Sequence, residues 1–312
     1  MQLTYVLPLR SSEVEHDLAP YLAGLTPHVE VIAVDGSEDD VFDEHRRLFE
    51  RVGACHVAVD PSRATLMGKV GGVMTGVAAA SNEHVVIGDD DVRYTLDQLR
   101  RVDDLLREFD VVRPQNYFDP LPWHAKWDTG RILLNRMTGG DWPGTMGVRR
   151  SVLLRAGGYA GDVLFENLEL VRTIEAVGGR ATVDLGLLVH RIPPPTAQFL
   201  DQRVRQAYDE FARPMRLAFF LGILPFVAVF RGRGAAALAV ATVGVAEAGR
   251  RRAGGREVFA STAALWAPVW LAERSVTSWL AVWSRVRHGG IRYRGTVLRR
   301  AANRRPTVQM SR

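Results

Sequence analysis

The sequence predicts an α/β protein: a mainly parallel sheet with helices on both faces, followed by a hydrophobic helical region. Three observations lead there. Strand-like and helix-like segments alternate over residues 1–110, the pattern of βαβ units. Two acidic turns, "VDGSEDD" and "GDDDV", close apolar runs, and both fall at the edge where such sheets bind ligands. From residue 213 onward acidic residues nearly vanish, and apolar runs alternate with arginine clusters.

The elements follow in order. "LTYVLPLR" is a short apolar strand ending near Pro8. "DLAPYLAGL" has helical apolar spacing. "VEVIAVDGSEDD" is a strand from Val29 to Val34 that closes in a turn rich in Asp, Gly and Ser. "VFDEHRRLFERVG" is an amphipathic helix stopped by Gly53. "CHVAVD" is a third strand, and "GKVGGVMTGVAAAS" a helix of small residues that can lie close against a sheet. "EHVVIGDDD" is the fourth strand, "TLDQLRRVDDLLREF" a helix and "DVVRPQ" the fifth strand. Residues 116–165 read as less regular. "NYFDPLPWHAKWD" mixes aromatics, prolines and polar groups, and "GGDWPGTMGVRRSVLLRAGGYAGD" is glycine-rich and then helical. This region reads as a cleft lining rather than a second fold. "FENLELVRTIEAVGG" is a helix with an acidic start, and "ATVDLGLLVHRIPPP" a strand with His190 at its end. "FLDQRVRQAYDEFARP" is a polar amphipathic helix.

The chain has 312 residues, 47% of them apolar, enough for a substantial core. Its one cysteine, Cys55, excludes an internal disulfide and fits a reducing compartment. The start "MQLTYVLPLR" lacks the basic and apolar segments of a secretory signal. The net charge of +5 hides a division: from Arg213 on there are 18 arginines, no lysine and 3 acidic residues, whereas residues 1–212 hold 22 basic and 32 acidic residues. Such asymmetry points to a membrane or nucleic-acid face on the basic part. The apolar runs 217–230, 234–246 and 258–272 each fall short of the roughly 20 residues of a membrane span. Trp266, Trp270, Trp279 and Trp283 suit the membrane–water boundary. A helical hairpin or interfacial helices therefore fit better than one transmembrane helix, with the arginines on the cytoplasmic side. The competing reading is a hydrophobic helical subdomain packed on the first domain of a soluble protein. The interleaved Trp and Leu favour lipid, and no nucleic-acid partner is expected. The chain divides into residues 1–212, an apolar Arg-rich region 213–288 and a basic tail 289–312.

Asp89, Asp90 and Asp91 place three like charges where a buried strand stops. Adjacent carboxylates repel, and a divalent cation offsets that, since hard oxygen ligands suit Mg²⁺ or Mn²⁺. A solvated acidic turn is the competing reading. The matching acidic turn after Val34 favours a site.

Taken together, these segments resemble the family-2 glycosyltransferases of the GT-A fold, specifically the membrane-associated kind with C-terminal hydrophobic helices. The resemblance covers about residues 3–210. "VLPLR" resembles the first strand and its nucleotide-facing loop, which implicates Pro8, Leu9 and Arg10. "VDGSEDD" resembles the family's Asp-x-x-Ser-x-Asp element, implying a contact from Asp35 to the nucleotide base with Ser37 and Asp39 nearby. "GKVGGVMTG" resembles a helix that sets Lys69 near the nucleotide phosphates. "GDDDV" resembles the Asp-x-Asp motif, with Asp89 and Asp91 as the outer pair and Asp90 between. The resemblance implies that Mg²⁺ or Mn²⁺ is held by Asp91 and Asp89, with His190 as a further ligand. "RRSVLLRAGGY" resembles the helix before the acceptor segment, and "FENLEL" stands where the family has Glu-Asp-x-Asp-Leu. An inverting enzyme needs a general base. Asn167 replaces the second acid of that pair and cannot serve, so Glu166 is the candidate, with Glu169, Asp162 and Asp141 in reserve. "QRVRQAY" weakly resembles Gln-x-x-Arg-Trp, implicating Gln202 and Arg205. Trp123, His124, Trp127 and Trp142 are candidates for the acceptor cleft. The tail "GGIRYRG" is similar to a Gly-Gly-x-x-Trp/Tyr-Arg-Gly element of enzymes that glycosylate lipid-like acceptors.

The resemblance thus implies transfer of a sugar, with inversion, from a nucleotide-sugar donor to a lipid-like acceptor at the inner face of the cytoplasmic membrane. Two rivals stand beside it. A nucleotidyltransferase would carry a glycine-rich basic loop after its first strand, and "PLRSSEVEHD" has no glycine. A decayed, membrane-bound scaffold would account for Asn167.

Overall fold

A computed structural model describes residues 1–304; positions 305–312 of the basic tail lie outside the described residues. Strand β1 (Leu3–Leu9) is buried along its whole length, because helices cover both of its faces. Helix α1 (Leu18–Leu25) returns the chain to β2 (Glu30–Asp35), and α2 (Asp39–Arg51) to β3 (Cys55–Ala58). Helix α3 (Gly68–Ala79) leads to β4 (His84–Ile87). These strands run parallel in the order β3-β2-β1-β4. The small residues of α3 have the expected purpose. A Cβ on Gly76 would fall 2.3 Å from Val6 Cγ1 and one on Gly72 2.9 Å from Pro8 Cβ, so the helix backbone rests directly on β1.

Next come β5 (Val92–Arg93), α4 (Leu96–Leu106) and β6 (Val111–Phe118). A capping box of Thr95 and Gln98 starts α4. Residues 116–165 are more ordered than their composition suggests. α5 (Trp123–Met137) is a 15-residue helix; Pro120 and Pro122 precede it rather than interrupt it, where proline is tolerated. β7 (Met146–Arg149) is a strand that the sequence reading lacks. It lies antiparallel between β4 and β6. Then follow α6 (Arg150–Arg155), α7 (Glu166–Ala176) and β8 (Ala181–Arg191), the last parallel to β6 and antiparallel to β5. The eight-stranded sheet has the order β3-β2-β1-β4-β7-β6-β8-β5. One face is covered by α1, α2 and α4 through Leu22, Phe49 and Leu99. The other is covered by α3, α6 and α7 through Val73, Leu153 and Val171. Strand order switches between β1 and β4, which opens a crevice beyond their carboxyl ends.

The expected single helix around residue 200 is two, α8 (Thr196–Asp201) and α9 (Arg203–Tyr208), broken at Gln202. α10 (Pro214–Arg251) contains one residue with left-handed φ, Arg231 at φ 51°. Leu238 lines the same groove as Gly222, although 16 residues of straight helix would separate them by about 24 Å. The chain therefore folds back at Arg231, and α10 is a helical hairpin of two arms. α11 (Gly255–Val258) and α12 (Ala267–His288) follow. α10 and α12 clasp α5 closely. A Cβ on Gly130 would lie 2.8 Å from Ala267 Cα, and one on Gly249 2.0 Å from the Leu133 carbonyl oxygen. Fully buried Arg136 of α5 donates to the carbonyls of Gly249, Leu185 and Arg252, capping the negative end of α10.

Strands β9 (Ile291–Tyr293) and β10 (Thr296–Leu298) form a hairpin from the "GGIRYRG" segment. Arg294 and Gly295 both have positive φ, 44° and 80°, as a two-residue type I′ turn requires. Gly289 closes α12 in the left-handed conformation. The chain then runs beside the start of α7, where the Leu164 and Phe165 N–H groups donate to the carbonyls of Arg300 and Ala301.

Candidate functional site

Two cavities open at the carboxyl edge of the sheet and share a wall. The first, of about 490 Å³, is lined by Pro8, Leu9 and Arg10 after β1, Val34 and Gly36 after β2, Lys69 of α3, and Asp89, Asp90 and Asp91 after β4. The second, of about 290 Å³, is lined by Glu166 and Asn167 of α7, Asp141, Trp142, Gln202 and Arg205, and by arginines of α5 and of the helical region. Lys69, Asp89, Arg191 and Tyr293 border both.

The shared wall is a charge cluster. Lys69 Nζ lies 2.5 Å from Asp89 Oδ1 and 3.4 Å from Glu166 Oε1, and donates to the Gly144 carbonyl at 2.8 Å. Burial pulls the Lys69 ammonium down, but Asp89 and Glu166 outweigh it and hold the group above its ordinary value. Arg191 donates from Nε to Asp91 Oδ2 at 2.8 Å, while Asp91 Oδ1 is buried with no partner among the described residues. Asp90 stays open to solvent at the cleft floor. Crowding by the surrounding protein, then repulsion from Asp91 and Asp89, push its carboxyl up to about 6. The glycine at 144 is obligatory, since a Cβ there would fall 1.5 Å from Asp89 Oδ2.

This donor set suits a divalent cation in one respect and limits it in another. The orphaned Asp91 oxygen and the mutual repulsion of the three carboxylates both favour a bound cation. Among the described residues no three His, Cys, Asp or Glu side chains converge on one point. A metal here would be held by one or two of these carboxylates and would need ligand oxygens or water for the rest of its shell.

Several candidates stand elsewhere. Asp35 is fully buried behind the cavity wall rather than on it, so its side chain cannot reach a nucleotide base. Its Oδ2 accepts from His45 Nδ1 at 2.7 Å and His56 Nε2 at 3.1 Å, and its Oδ1 accepts from the Ser37 N–H. The Glu15 N–H donates to His45 Nε2, which fixes the tautomer with the proton on Nδ1. Burial opposes the Asp35 charge, but the two histidines and Ser37 prevail and hold the carboxyl well below the usual range. Ser37 accepts from the Ser11 N–H and ties the two loops together. Asp39 begins α2 on the surface, where it complements the helix dipole. His190 points to the opposite face of β8. Its Nε2 lies 2.6 Å from the Asp119 carbonyl and its ring 5.7 Å from that of Tyr117, so it is not a ligand beside Asp91.

Of Asp162, Glu166 and Glu169, Glu166 alone lines either cavity. Glu169 is fully buried and gripped by Asn303 through its N–H and Nδ2, both at 2.7 Å. Asp162 is at the surface, paired with Arg300. Asp141 lines the second cavity but is saturated by Arg131 and Asn135. Trp142 lines that cavity beneath Arg113, whose Cζ is 3.7 Å from the ring centroid. Trp123 is outside it, in an aromatic cluster with His124, Trp127 and Phe199.

The sequence reading missed Arg191, Tyr293 and a set of arginines: Arg131, Arg213, Arg216 and Arg274. Arg191 adjoins His190, and strand parity alone decides which of the two faces the site. The arginines come from three separate helices and meet only in the fold.

No protein-family model and no curated protein sequence matches the chain. The fold is similar to that of a mannosyltransferase from Pyrobaculum calidifontis solved in complex with GDP-Man and Mn²⁺, with TM-score 0.54 and 18% identity over 89% of this chain and 87% of that one. Glucosyl-3-phosphoglycerate synthase from Mycobacterium tuberculosis, in complex with Mn²⁺, UDP and phosphoglyceric acid, matches at TM-score 0.42 and 20% identity over 63% of this chain and 72% of that one. The chain has the GT-A glycosyltransferase fold, with a helical region added at its C-terminal end.

Proposed function

We propose that this protein is a metal-dependent glycosyltransferase that moves a sugar from a nucleoside-diphosphate sugar to a lipid-like acceptor at the cytoplasmic face of the membrane. The observation that carries this reading is the meeting of two cavities at Lys69, Asp89 and Arg191. One cavity sits at the switch point of the sheet, where nucleotides bind in α/β folds. The other offers a carboxylate, Glu166, at the shared wall. Donor and acceptor would enter from opposite sides.

In this reading the nucleotide lies along Pro8–Arg10 and Gly36, with its diphosphate over Asp89–Asp91. Mg²⁺ or Mn²⁺, held by Asp91 and Asp89, would neutralise the diphosphate charge as the glycosidic bond breaks. Lys69 and Arg191 border the same space and supply fixed positive charge to the leaving group. Glu166 is the general base, taking the acceptor proton as the new bond forms at the anomeric carbon with inversion. Asp141 and Glu169 are occupied by their own partners, which supports Glu166 for the role. Asp35 acts through the loop it braces and is a positioning residue.

The exposed apolar surface of α10 and α12 supports membrane attachment. α10 is the one helix among the described residues long and apolar enough to cross a membrane. Its reversal at Arg231 leaves two arms, each at or below the roughly 20 residues of a span, so it lies on or dips into the bilayer.

The test is calorimetric titration of GDP, UDP and their sugars, with Mn²⁺ and with chelator, on wild type and Asp91→Ala. The expected result is metal-dependent binding of one nucleotide by the wild type and its loss in the variant. Absence of nucleotide binding under every condition would favour the scaffold reading.

A further inference from the structure

The second cavity is overbuilt for a neutral acceptor. Seven basic side chains line it against five acidic ones. Most are already satisfied: Arg131 by Asp128 and Asp141, and Arg213 and Arg216 by Glu210. Two are not. Arg274 of α12 is 2% exposed, and its Nε and Nη1 are buried with no hydrogen-bond partner among the described residues. Glu273 and Glu210 act on it only through space and pair with other groups: Glu273 faces Arg203 at 3.5 Å, and Glu210 holds Arg213 and Arg216. Arg205 of α9 lines the same space, packs over the Tyr293 ring at 5.3 Å, and has no ion pair among the described residues. An unpaired guanidinium in such a place is retained at a cost unless an anion completes it.

Asp209 points the same way. Its Oδ1 is buried with no partner among the described residues, and burial, with Glu166 adding to it, pushes the carboxyl well above the usual range. In its protonated form this carboxyl donates to an anion instead of repelling it.

The cavity also continues into an apolar groove of about 410 Å³, lined by Leu134, Met215, Phe219, Leu238, Val245 and Leu271. Asn135, Arg216 and Trp270 border both spaces. The groove runs between α5 and the hairpin arms of α10, on the side that carries the exposed apolar surface. A cationic chamber opening into an apolar groove matches an amphiphile with an anionic head.

Building on the donor and acceptor sides assigned above, we propose that the acceptor is a lipid phosphate whose phosphate monoester sits between Arg274 and Arg205 and whose hydrocarbon chain lies in the groove between α5, α10 and α12. Two such cations match a phosphate monoester, which carries close to two charges at neutral pH. With this acceptor an oxygen of the dianion forms the new bond at the anomeric carbon as the bond to the nucleoside diphosphate breaks, and no proton has to be removed, so Glu166 holds Lys69 in place instead of acting as a base. A neutral hydroxyl head would leave Arg274 unpaired.

The experiment titrates detergent-solubilised full-length protein with farnesyl phosphate, farnesol and inorganic phosphate, separately from the nucleotide titration. The expected result is that farnesyl phosphate binds and that Arg274→Gln and Arg205→Gln each weaken it by about 10- to 100-fold, the size of a lost charge-assisted contact. Mn²⁺-dependent nucleotide binding stays unchanged in both variants. Arg274→Gln is expected to melt no lower than wild type, because it removes an unpaired buried charge; should it fail to fold, Arg205→Gln decides. Equal binding of farnesol and farnesyl phosphate, or full affinity in Arg205→Gln, overturns the phosphate site. Inorganic phosphate binding as tightly as farnesyl phosphate overturns the hydrocarbon half. Loss of nucleotide binding in the wild type strikes the glycosyltransferase reading and leaves the lipid-phosphate result to be read by itself.

Discussion

Asp35 shows how one residue shapes the donor cavity without touching it. A buried carboxylate accepting from two imidazoles and a backbone N–H holds β2, β3 and the loop before α1 in one arrangement. Asp35→Asn removes the charge and turns one amide N–H toward a donor, so it is expected to cost about 2–3 kcal/mol at pH 7. The sign with pH follows from the lowered folded-state pKa. The stabilisation is complete above the unfolded value, near 3.9, and is lost as pH falls through the folded one. Denaturant unfolding of wild type and variant should therefore show a constant gap down to about pH 4 that closes at more acid pH. A gap that widened on acidification would contradict the assigned protonation states. Gly144 is the second residue with a sharp expectation. Its Cβ would occupy the place of Asp89 Oδ2, so Gly144→Ala must displace that carboxylate. A misplacement of about 1 Å at a reacting centre costs on the order of 100-fold in rate. Single-turnover transfer should fall by that order while thermal unfolding moves little; unaltered turnover would remove Asp89 from the site.

At the level of elements, the alternating strands and helices of residues 1–110 were legible because each is long, periodic and closed by a turn residue. The small-residue helix α3 was legible for the same reason, and its glycines meet β1 as expected. β7 was not. Four residues, one of them Gly147, carry no period, and its place between β4 and β6 depends on partners far away in sequence. α5 was hidden by prolines that turn out to precede it. The site was half legible. Motif spacing finds Asp89–Asp91, Lys69 and Glu166, but the facing of a strand end is a matter of parity, so His190 stood in for Arg191. Asp35, Glu169 and Asp162 share the right chemistry and the wrong neighbours, which only the fold supplies. The docked tail offers a test at this scale. Asn303 supplies two hydrogen bonds to fully buried Glu169. Asn303→Ala removes the side-chain one and should cost about 1–3 kcal/mol. Limited proteolysis should then cut nearer to residue 300 in the variant. An unchanged cleavage pattern would mean that the tail is held mainly by its backbone pairing with Leu164 and Phe165.

The whole molecule joins an acidic α/β domain to an arginine-rich helical one, and the second cavity lies where they meet. The helical region presents large apolar side chains to solvent: Met215 is 84% exposed, Val240 74% and Val286 82%. The hairpin tip sets exposed Arg231 and Arg233 beside exposed Val229 and Phe230. Trp283 of α12 is also largely exposed, and Trp279 donates to the Leu221 carbonyl across to α10. Apolar side chains flanked by arginines suit the headgroup boundary of an anionic bilayer. Each arginine near such a surface contributes about 1 kcal/mol at low salt. Arg231→Gln with Arg233→Gln should therefore weaken binding to phosphatidylserine-containing vesicles by roughly 30-fold. Added salt should weaken the wild type more than the variant, because the variant has fewer charges left to screen. Flotation of the full chain with vesicles of graded anionic content measures both. If the wild type stays in the aqueous fraction at every composition, the exposed apolar face has another occupant and the acceptor need not be a lipid. If it floats and the double variant floats equally well, attachment is made by α12 and its tryptophans. The groove between α5 and α10 would then open toward the membrane from the other side of the hairpin.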